Sequence, residues 1–250
     1  KVLSMIFLEL VARDLDSLLR LSTKSLHSHF LLTGINIPDI KRLDIRSYDA
    51  VSFLLKQSIR CLPHIRAQDA SVDEHLRLIE PLIELGLKEI LIISGDPISE
   101  TAKPLYPTTV IDLVSTLKNK FNTLTVYCGI DPYRQSLSAE FEYADKKLQA
   151  GADGLFSQPF FDTELLDTCL CQFSNTSFFA GIAPVTKQSS YDYWVTINKV
   201  SFPEDFSLDL EYNFRLAQQI ISISKSYDQH CYLMPIKTPV GEFLDGVFNS

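Results

Sequence analysis

A carboxylate within an otherwise apolar segment is the first candidate for chemistry in this chain. Glu9 lies in residues 5–11, where every other side chain is apolar. Burying a carboxylate without a partner costs free energy, so this placement needs an explanation. Two interpretations stay open. Glu9 is either half-buried and paired with a lysine or arginine, or it is a general acid whose pKa is raised toward neutrality by apolar surroundings.

Polar residues also end three later apolar runs. They are Ser94-Gly95-Asp96, Tyr127-Cys128-Gly129 and Ser157-Gln158. If these runs are parallel strands, their carboxyl ends share one face with Glu9 and form one site. Asp96 is either a turn or helix-cap residue, or a second acid in different surroundings, so that the two acids divide protonation and electrostatic roles.

Several other side chains have types and positions that allow a role in a site or in the fold. His64 ends the third apolar run and is either a core histidine with satisfied hydrogen bonds or a site residue. Gln158 offers both a donor and an acceptor, which suits the edge of a heterocyclic ring. Asp162 is predicted to cap the next helix. Lys146 and Lys147 are either solvated helix residues, or one of them binds a phosphate.

The elements that must position these residues are short apolar runs that alternate with longer amphipathic ones. Eight runs, each followed by a helical pattern, predict an α/β fold, specifically a single (β/α)8 TIM barrel. With no linker or internal repeat, residues 1–250 are predicted to form one domain. The predicted strands are 5–11, 30–36, 59–66, 89–94, 124–128, 154–160, 177–183 and 231–236.

Helix signals support this alternation. Ser71 and Glu74 have the spacing of a capping box, and Gly86 is a suitable residue to end that helix. His75 in this helix is predicted to be exposed. Leu210 and Phe214 begin a stripe at helical spacing that indicates core packing.

Composition and charge exclude some kinds of protein. The net charge of −8 argues against a surface that coats nucleic acid, and no apolar run approaches the roughly 20 residues of a membrane-spanning helix. Residues 1–11 lack the features of a signal peptide. Five cysteines without framework spacing indicate a reducing compartment, which favours a cytoplasmic location, and all five are read as small buried apolar groups.

Several familiar motifs are absent from the sequence. With nine glycines, the chain contains neither Gly-x-Gly-x-x-Gly nor Gly-x-x-x-x-Gly-Lys, which disfavours a Rossmann dinucleotide fold and a P-loop. His-Glu-x-x-His is absent, and the neighbouring His27 and His29 are read as surface residues, so no metal site is predicted. No serine lies in a Gly-x-Ser-x-Gly elbow.

The order and spacing of several segments resemble one family. From about Phe7 to near its C terminus, the chain resembles the catalytic domain of 5,10-methylenetetrahydrofolate reductase, a flavin-dependent β/α barrel. The segments that carry the resemblance are Leu62-Pro63-His64-Ile65, Asp69-Ala70-Ser71, Gly86-Leu87-Lys88-Glu89-Ile90-Leu91, Gly95-Asp96-Pro97, Lys147-Leu148-Gln149-Ala150-Gly151-Ala152-Asp153, Gln158-Pro159-Phe160-Phe161-Asp162 and Gly181-Ile182-Ala183-Pro184-Val185.

The resemblance implies roles for three residues. Glu9 matches the acid that protonates the folate N10 and opens the five-membered ring. Asp96 matches an aspartate that stabilises the cationic iminium intermediate. Gln158 matches the glutamine that holds the pterin. The implied reaction is a ping-pong hydride transfer from NADH or NADPH through FAD to methylenetetrahydrofolate, within one-carbon metabolism and methionine biosynthesis.

The resemblance also implies binding contacts. Lys237 lies where the family has a basic residue near the folate tail, and Lys147 is expected near the FAD pyrophosphate. The implied FAD contacts are Thr33, His64, Ser94, Gly95, Asp96, Tyr127 and Lys147.

Departures from the family pattern leave alternatives open. Ser94 stands where the family has an arginine, and Gln188 stands where it often has an aromatic residue. One rival is a folate- or pterin-binding methyltransferase domain without flavin, and another is a non-catalytic paralogue that serves as a partner subunit. Tyr191, Tyr193 and Trp194 are expected to be exposed and are candidates for a homo-oligomer interface.

Overall fold

A computed structural model describes residues 4–95 and 106–249 of the chain. Its parallel strands follow one another in chain order, and the last strand pairs with the first to close a barrel. This confirms the predicted (β/α)8 barrel. The strands are β1 (Ile6–Glu9), β2 (Gly34–Ile37), β3 (Cys61–Arg66), β4 (Glu89–Ile93), β5 (Thr125–Ile130), β6 (Gly154–Pro159), β7 (Ser177–Ile182) and β8 (His230–Leu233).

Helices alternate with these strands, and two of them lie between β7 and β8. A short 3₁₀ turn at Ala67–Asp69 follows β3. The helices are α1 (Leu15–Ser28), α2 (Ser47–Leu55), α3 (Val72–Glu84), α4 (Val110–Lys120), α5 (Leu137–Gln149), α6 (Thr163–Gln172), α7 (Gln188–Thr196), α8 (Leu210–Ser226) and α9 (Val240–Phe248).

Most strand boundaries shift by one to three residues from the sequence prediction, and the shifts at β2 and β5 affect the predicted site. β2 begins at Gly34, because the hydroxyl of Thr33 bonds to the backbone of Ile6 and fixes the chain before the strand starts. Phe30, predicted to lie in this strand, is 89% exposed. β5 continues to Ile130, so Tyr127 lies in the middle of the strand and not at its end.

Aromatic side chains fill the inside of the barrel. Phe7, Tyr127, Phe156, Phe179 and Tyr232 are buried there, and the rings of Phe156 and Phe179 stack with centroids 4.1 Å apart. A second apolar layer fills the space between the strands and the helices. The barrel is therefore a packed core and not a channel, as expected for this architecture.

An ion pair lies at the amino ends of the strands. Arg60 donates to both carboxylate oxygens of Glu89, at 2.7 and 2.9 Å. The hydroxyl of Tyr127 lies 3.3 Å from the same carboxylate, and the Arg60 guanidinium lies over the ring of Phe7. These polar contacts cover the aromatic core at the amino ends of the strands.

Some local predictions from the sequence are confirmed by the structure, and others are wrong. The capping box of Ser71 and Glu74 is present, and Gly86 adopts a positive φ of 97° after α3. Asp162 caps α6 as predicted. His75 is buried, contrary to the prediction, because its Nε2 bonds to the carbonyl oxygen of Ala67 at 2.9 Å. Cys171 is exposed, whereas the other four cysteines are buried as predicted.

Candidate active site

A cavity of about 780 Å³ lies at the carboxyl ends of the barrel strands. Glu9 from β1, His64 from β3 and Gln158 from β6 line it, together with Lys237 after β8. The parallel topology places these separated residues around one opening, because every strand ends at the same face. The structure therefore brings together four of the side chains singled out in the sequence.

Glu9 is the last residue of β1, and its side chain is 14% exposed. Burial raises the pKa of Glu9 from 4.5 to about 8. The basic group beside it within residues 4–95 and 106–249 is His64, whose Nε2 lies 3.8 Å from Glu9 Oε2. Glu9 is therefore a carboxylic acid at neutral pH, with a proton to give.

His64 is buried beside Glu9 and is uncharged at neutral pH. Burial lowers its pKa to about 4. Its Nε2 lies 2.8 Å from Oδ1 of Asn36, a fully buried residue of β2. Sequence reasoning missed Asn36, although an amide within Gly34-Ile35-Asn36-Ile37 is the same kind of signal as Glu9: a polar group in an apolar strand.

The chain after β4 approaches the cavity through its backbone. Gly95 lines the cavity with a φ of 108°, and an added Cβ there would lie 3.2 Å from Nη2 of Arg66. The carbonyl oxygen of Ser94 accepts from the backbone N–H of Gln68 at 3.2 Å. Asp96 lies outside the described residues, so its predicted position next to the cavity stays a prediction.

A charged group forms the wall after β5. The buried carboxylate of Glu140 accepts from Arg134 at 2.7 Å, from Gln135 at 2.8 Å and from the backbone N–H of Asp131 at 3.0 Å. Asp131 and Arg134 line the cavity with Glu140. Sequence reasoning missed this group, because its members are spread over a loop and a helix without a known motif.

Lys147 lies behind the same wall. Its ammonium donates to the carbonyl oxygen of Gly129 at 2.6 Å and lies 4.0 Å from the centre of the Tyr143 ring. Burial lowers the pKa of Lys147 to about 8. Gly129 itself lines the cavity, so the ammonium is one carbonyl group away from it.

Two predicted FAD contacts lie away from the cavity. Thr33 precedes β2, and its hydroxyl bonds to the backbone of Ile6 at the amino end of the barrel. Tyr127 points into the aromatic core, and its hydroxyl lies beside Glu89 at the start of β4. The structure does not bring either side chain to the carboxyl face, so these two contacts, which the family resemblance implied, do not line the cavity.

Helix α7 covers one side of the cavity. The cavity is lined by Ser190, Tyr193 and Trp194 of this helix and by Asn198 just after it, whereas Gln188 is exposed and bonds to Asp192 at 2.8 Å. Trp194 is buried, contrary to the expectation of exposure, while Tyr193 is 54% exposed. The Nδ2 of Asn198 is buried and has no hydrogen-bond partner within the described part of the chain. An unused donor in the wall suits a ligand that brings an acceptor.

This arrangement defines the class of the protein: a β/α barrel with an acidic group and several hydrogen-bonding side chains at the carboxyl face of its strands. A family model for methylenetetrahydrofolate reductase matches residues 41–222, and the chain belongs to that family. The matched region includes His64, Lys147 and Gln158. It begins after β2, so the position of Glu9 rests on the barrel geometry.

Curated relatives carry the same name. The chain is 24% identical to 5,10-methylenetetrahydrofolate reductase of Pectobacterium carotovorum subsp. carotovorum over 153 residues, which cover 59% of this chain and 51% of that protein. It is 23% identical to the enzyme of the same name from Escherichia coli (strain K12) over 153 residues, which cover 59% of this chain and 52% of that protein. The chain thus spans about half the length of the curated relatives it matches.

Solved structures share the architecture at low identity. Oxaloacetate acetylhydrolase in complex with oxalate matches with a TM-score of 0.63 and 9% identity, covering 97% of this chain and 79% of that one. A putative deoxyribose-phosphate aldolase from Toxoplasma gondii ME49 matches with a TM-score of 0.59 and 13% identity, covering 99% and 95%. These similarities support the barrel alone.

Two further kinds of feature are absent from the described ranges. No helix in residues 4–95 or 106–249 has the length and apolar character needed to cross a membrane. The same residues contain no group of three or more histidine, cysteine, aspartate or glutamate side chains arranged to hold a metal ion.

Proposed function

We propose that this protein reduces 5,10-methylenetetrahydrofolate to 5-methyltetrahydrofolate with FAD and NADH or NADPH. Membership of the methylenetetrahydrofolate reductase family supports the reaction. The observation that carries the proposal is the burial of Glu9 in the same cavity as Gln158, with a pKa of about 8. A carboxyl group that stays protonated at neutral pH is what the ring-opening step needs.

The residues around the cavity fit a flavin cofactor. The cavity volume of about 780 Å³ lies within the usual range for small-molecule sites, roughly 300–1,000 Å³. Gly95 and Gly129 leave backbone accessible along one wall, and Asn198 offers an unpaired donor. Arg134 lines the cavity and is a cation suited to a pyrophosphate, and the buried Lys147 adds a positive charge one carbonyl group behind that wall.

The bound flavin would supply the hydride chemistry by accepting a hydride from NAD(P)H and passing it to the folate. The protein contributes orientation and protons. Gln158 presents its amide to the edge of the pterin, and Glu9 gives its proton to the folate N10. His64 stays neutral and so does not compete for that proton at neutral pH. One cavity used by both substrates in turn is consistent with a ping-pong reaction.

Arg66 offers a replacement for the family arginine that is absent at Ser94. It is the last residue of β3 and is 4% exposed, and its guanidinium lies directly beside Gly95. Asp69 accepts from its Nε at 3.2 Å and so orients the side chain. A charge on the neighbouring strand therefore reaches the same loop, which supports retention of the cofactor despite the serine.

The flavin proposal is tested by the absorbance spectrum of the purified full-length protein. We expect yellow protein with close to one FAD per chain, or colourless protein that takes up added FAD to that level. Colourless protein that takes up no FAD would contradict the proposal. If that colourless protein bound tetrahydrofolate, the methyltransferase alternative would replace it.

Replacing Lys147 with Met is expected to weaken FAD binding by about 10- to 150-fold, because a hydrogen bond to a charged group contributes about 1.5–3 kcal/mol. Stability should change little, since removing a buried charge offsets the lost contacts with Gly129 and Tyr143. The measurement is the FAD dissociation constant by fluorescence quenching, with thermal unfolding alongside.

Lys146→Met is the matched control for this variant. Lys146 is the adjacent residue of α5 and is exposed, so it should bind FAD like the wild type. If both variants lost the same affinity for FAD, the effect would come from the change in net charge, and Lys147 would not be an FAD-binding residue.

A further inference from the structure

An irregularity in β6 lies beside the cavity, at Ser157 and Gln158. We propose that Ser157 and Tyr232 are positioning residues, whose hydroxyl groups hold the backbone from which Gln158 reaches into the cavity. The inference rests on the proposed function, in which Gln158 presents its amide to the pterin, and it names the groups that keep this glutamine in place.

The register between β6 and β7 contains one extra residue in β6. Phe156 pairs with Phe179 of β7. The next pair along the strands is Pro159 with Gly181, so three steps along β6 correspond to two along β7. This is a β-bulge at residues 157–158, and a bulge bends a strand and changes the direction of its side chains. The regular ladder with β7 therefore does not determine how these two residues are placed.

The side chains of β6 show the same interruption. Residues an even number of positions apart share a face of a regular strand, so Phe160 would point inside the barrel with Phe156. Phe156 does belong to the aromatic core, but Phe160 packs in the layer between the strands and the helices. Ser157 and Gln158 are consecutive residues, yet both line the cavity. The alternation of faces thus breaks at the cavity.

Two hydroxyl groups bond to the backbone at the bulge. The backbone N–H of Gly181 donates to Oγ of Ser157 at 2.9 Å. The hydroxyl of Tyr232 on β8 donates to the carbonyl oxygen of Ser157. Both bonds are buried, where an unpaired polar group would destabilise the fold. Ser157, the residue before Gln158, is thereby tied to β7 and to β8.

The missing side chain of Gly181 leaves room for the second of these bonds. Gly181 pairs with Tyr232 on β8 and with Pro159 on β6, so it lies between the tyrosine and the bulge. An added Cβ at Gly181 would lie 2.9 Å from the carbonyl oxygen of Ser157. This is the oxygen that the Tyr232 hydroxyl reaches. A side chain at position 181 would therefore displace either the bulge or the tyrosine.

The side chain of Gln158 has no direct support of its own. Its amide makes no hydrogen bond within the described part of the chain, and β5 pairs with Ser157 but not with Gln158. The residue after it is held, because the hydroxyl of Tyr133 donates to the carbonyl oxygen of Pro159 at 2.9 Å. The direction of the Gln158 side chain therefore depends on the backbone on its two sides, and Ser157 and Tyr232 fix the first of these.

The test is tetrahydrofolate binding by the purified full-length protein supplied with FAD, measured by calorimetry. Ser157→Ala removes the acceptor for the Gly181 N–H, and Tyr232→Phe removes the donor to the Ser157 carbonyl group. We expect each variant to bind about 3- to 10-fold more weakly than the wild type, the usual effect of one hydrogen bond. In a Gln158→Ala background we expect neither change to weaken binding further, because both act through the glutamine.

Tyr127→Phe is the matched control. Tyr127 is another buried tyrosine of the aromatic core, but its hydroxyl lies beside Glu89 at the amino ends of the strands. This control should bind tetrahydrofolate like the wild type. Equal weakening in the control, or undiminished losses in the Gln158→Ala background, would overturn the inference, because the effect would then not pass through the glutamine. If Ser157→Ala does not fold, Tyr232→Phe gives the decision alone.

A second measurement needs no folate and separates the inference from the proposed function. Nitrogen-15 relaxation reports the order parameter of the Gln158 backbone N–H, which we expect to be about 0.85 in the wild type and lower in Ser157→Ala and Tyr232→Phe. An unchanged order parameter in the folded variants would overturn the inference. If the order parameter falls as expected but the wild type binds no tetrahydrofolate, the proposed function fails while the positioning of Gln158 stands.

Discussion

Replacing Glu9 with Gln is expected to slow reduction of methylenetetrahydrofolate by about 10²- to 10⁴-fold, the usual contribution of a general acid. Reduction of the flavin by NAD(P)H should change little, because that step needs no proton from Glu9. Glutamine has the same shape and no charge, so it resembles the protonated carboxyl group that burial stabilises here. Stopped-flow absorbance of the flavin measures the two half-reactions separately.

The pH dependence gives a second readout of this prediction. The pKa of Glu9 is about 8, so folate reduction by the wild type should decline as the pH rises above that value, because the protonated fraction falls. The residual rate of Glu9→Gln should lack this decline. Equal losses in both half-reactions of the variant would contradict the role of Glu9 as acid.

Glu9 should also affect stability in a pH-dependent way. Its pKa is raised from 4.5 to about 8 in the folded state, so the folded protein binds more protons than the unfolded chain between these values. The contribution of Glu9 to the free energy of unfolding is therefore greatest below pH 4.5 and falls as the pH rises through about 8. The glutamine variant should lose this component, which denaturant unfolding at several pH values can measure without substrate.

Replacing Gly154 with Ala is expected to destabilise the barrel by about 3 kcal/mol, the upper end of the usual cost of overpacking. Gly154 begins β6, and an added Cβ would lie 2.4 Å from the backbone carbonyl oxygen of Ser177 on β7. A backbone atom in a closed barrel cannot rotate away as a side chain would. The melting temperature should fall by about 6–12 °C for a domain of this size.

Gly241→Ala is the matched control for this prediction. Gly241 lies in α9, where an added Cβ would meet no atom within 4 Å. Alanine in a helix is more stable than glycine by up to about 0.5–1 kcal/mol, so this variant should unfold at the same or a slightly higher temperature. A Gly154→Ala protein as stable as the wild type would show that β6 and β7 can separate without loss of the barrel.

The fold could be predicted from the sequence because barrel strands are buried on both faces. Continuous apolar runs such as Ile90-Leu91-Ile92-Ile93 then stand out between amphipathic helices. Exact strand limits were less predictable. Phe30 extends an apolar run but lies outside the barrel, because Thr33 fixes where β2 begins. The hydrophobicity of the sequence alone does not predict that contact between a side chain and the backbone.

The candidate site could be predicted where a polar residue interrupts an apolar strand or ends it. Glu9, His64 and Gln158 fit that rule, and all three line one cavity. Tyr127 does not fit this rule, because β5 continues to Ile130 and Tyr127 lies in the middle of the strand. Arg66 and Glu140 could not be found in this way, since their importance comes from neighbours on other elements: Gly95 beside Arg66, and Arg134 with Asp131 around Glu140.

The position of α7 has a consequence for the divergence of this chain. The helix lies between β7 and β8 but outside the closed sheet, and it provides Tyr193 and Trp194 to the cavity, while Asn198 follows just after its end. Tyr193 is more than half exposed, so a new side chain there costs the strands beneath little, whereas Trp194 is buried. Under the proposed function, selectivity for the outer portion of the substrate would therefore change at Tyr193, while Glu9 on β1 and the stacked aromatic rings remain as they are.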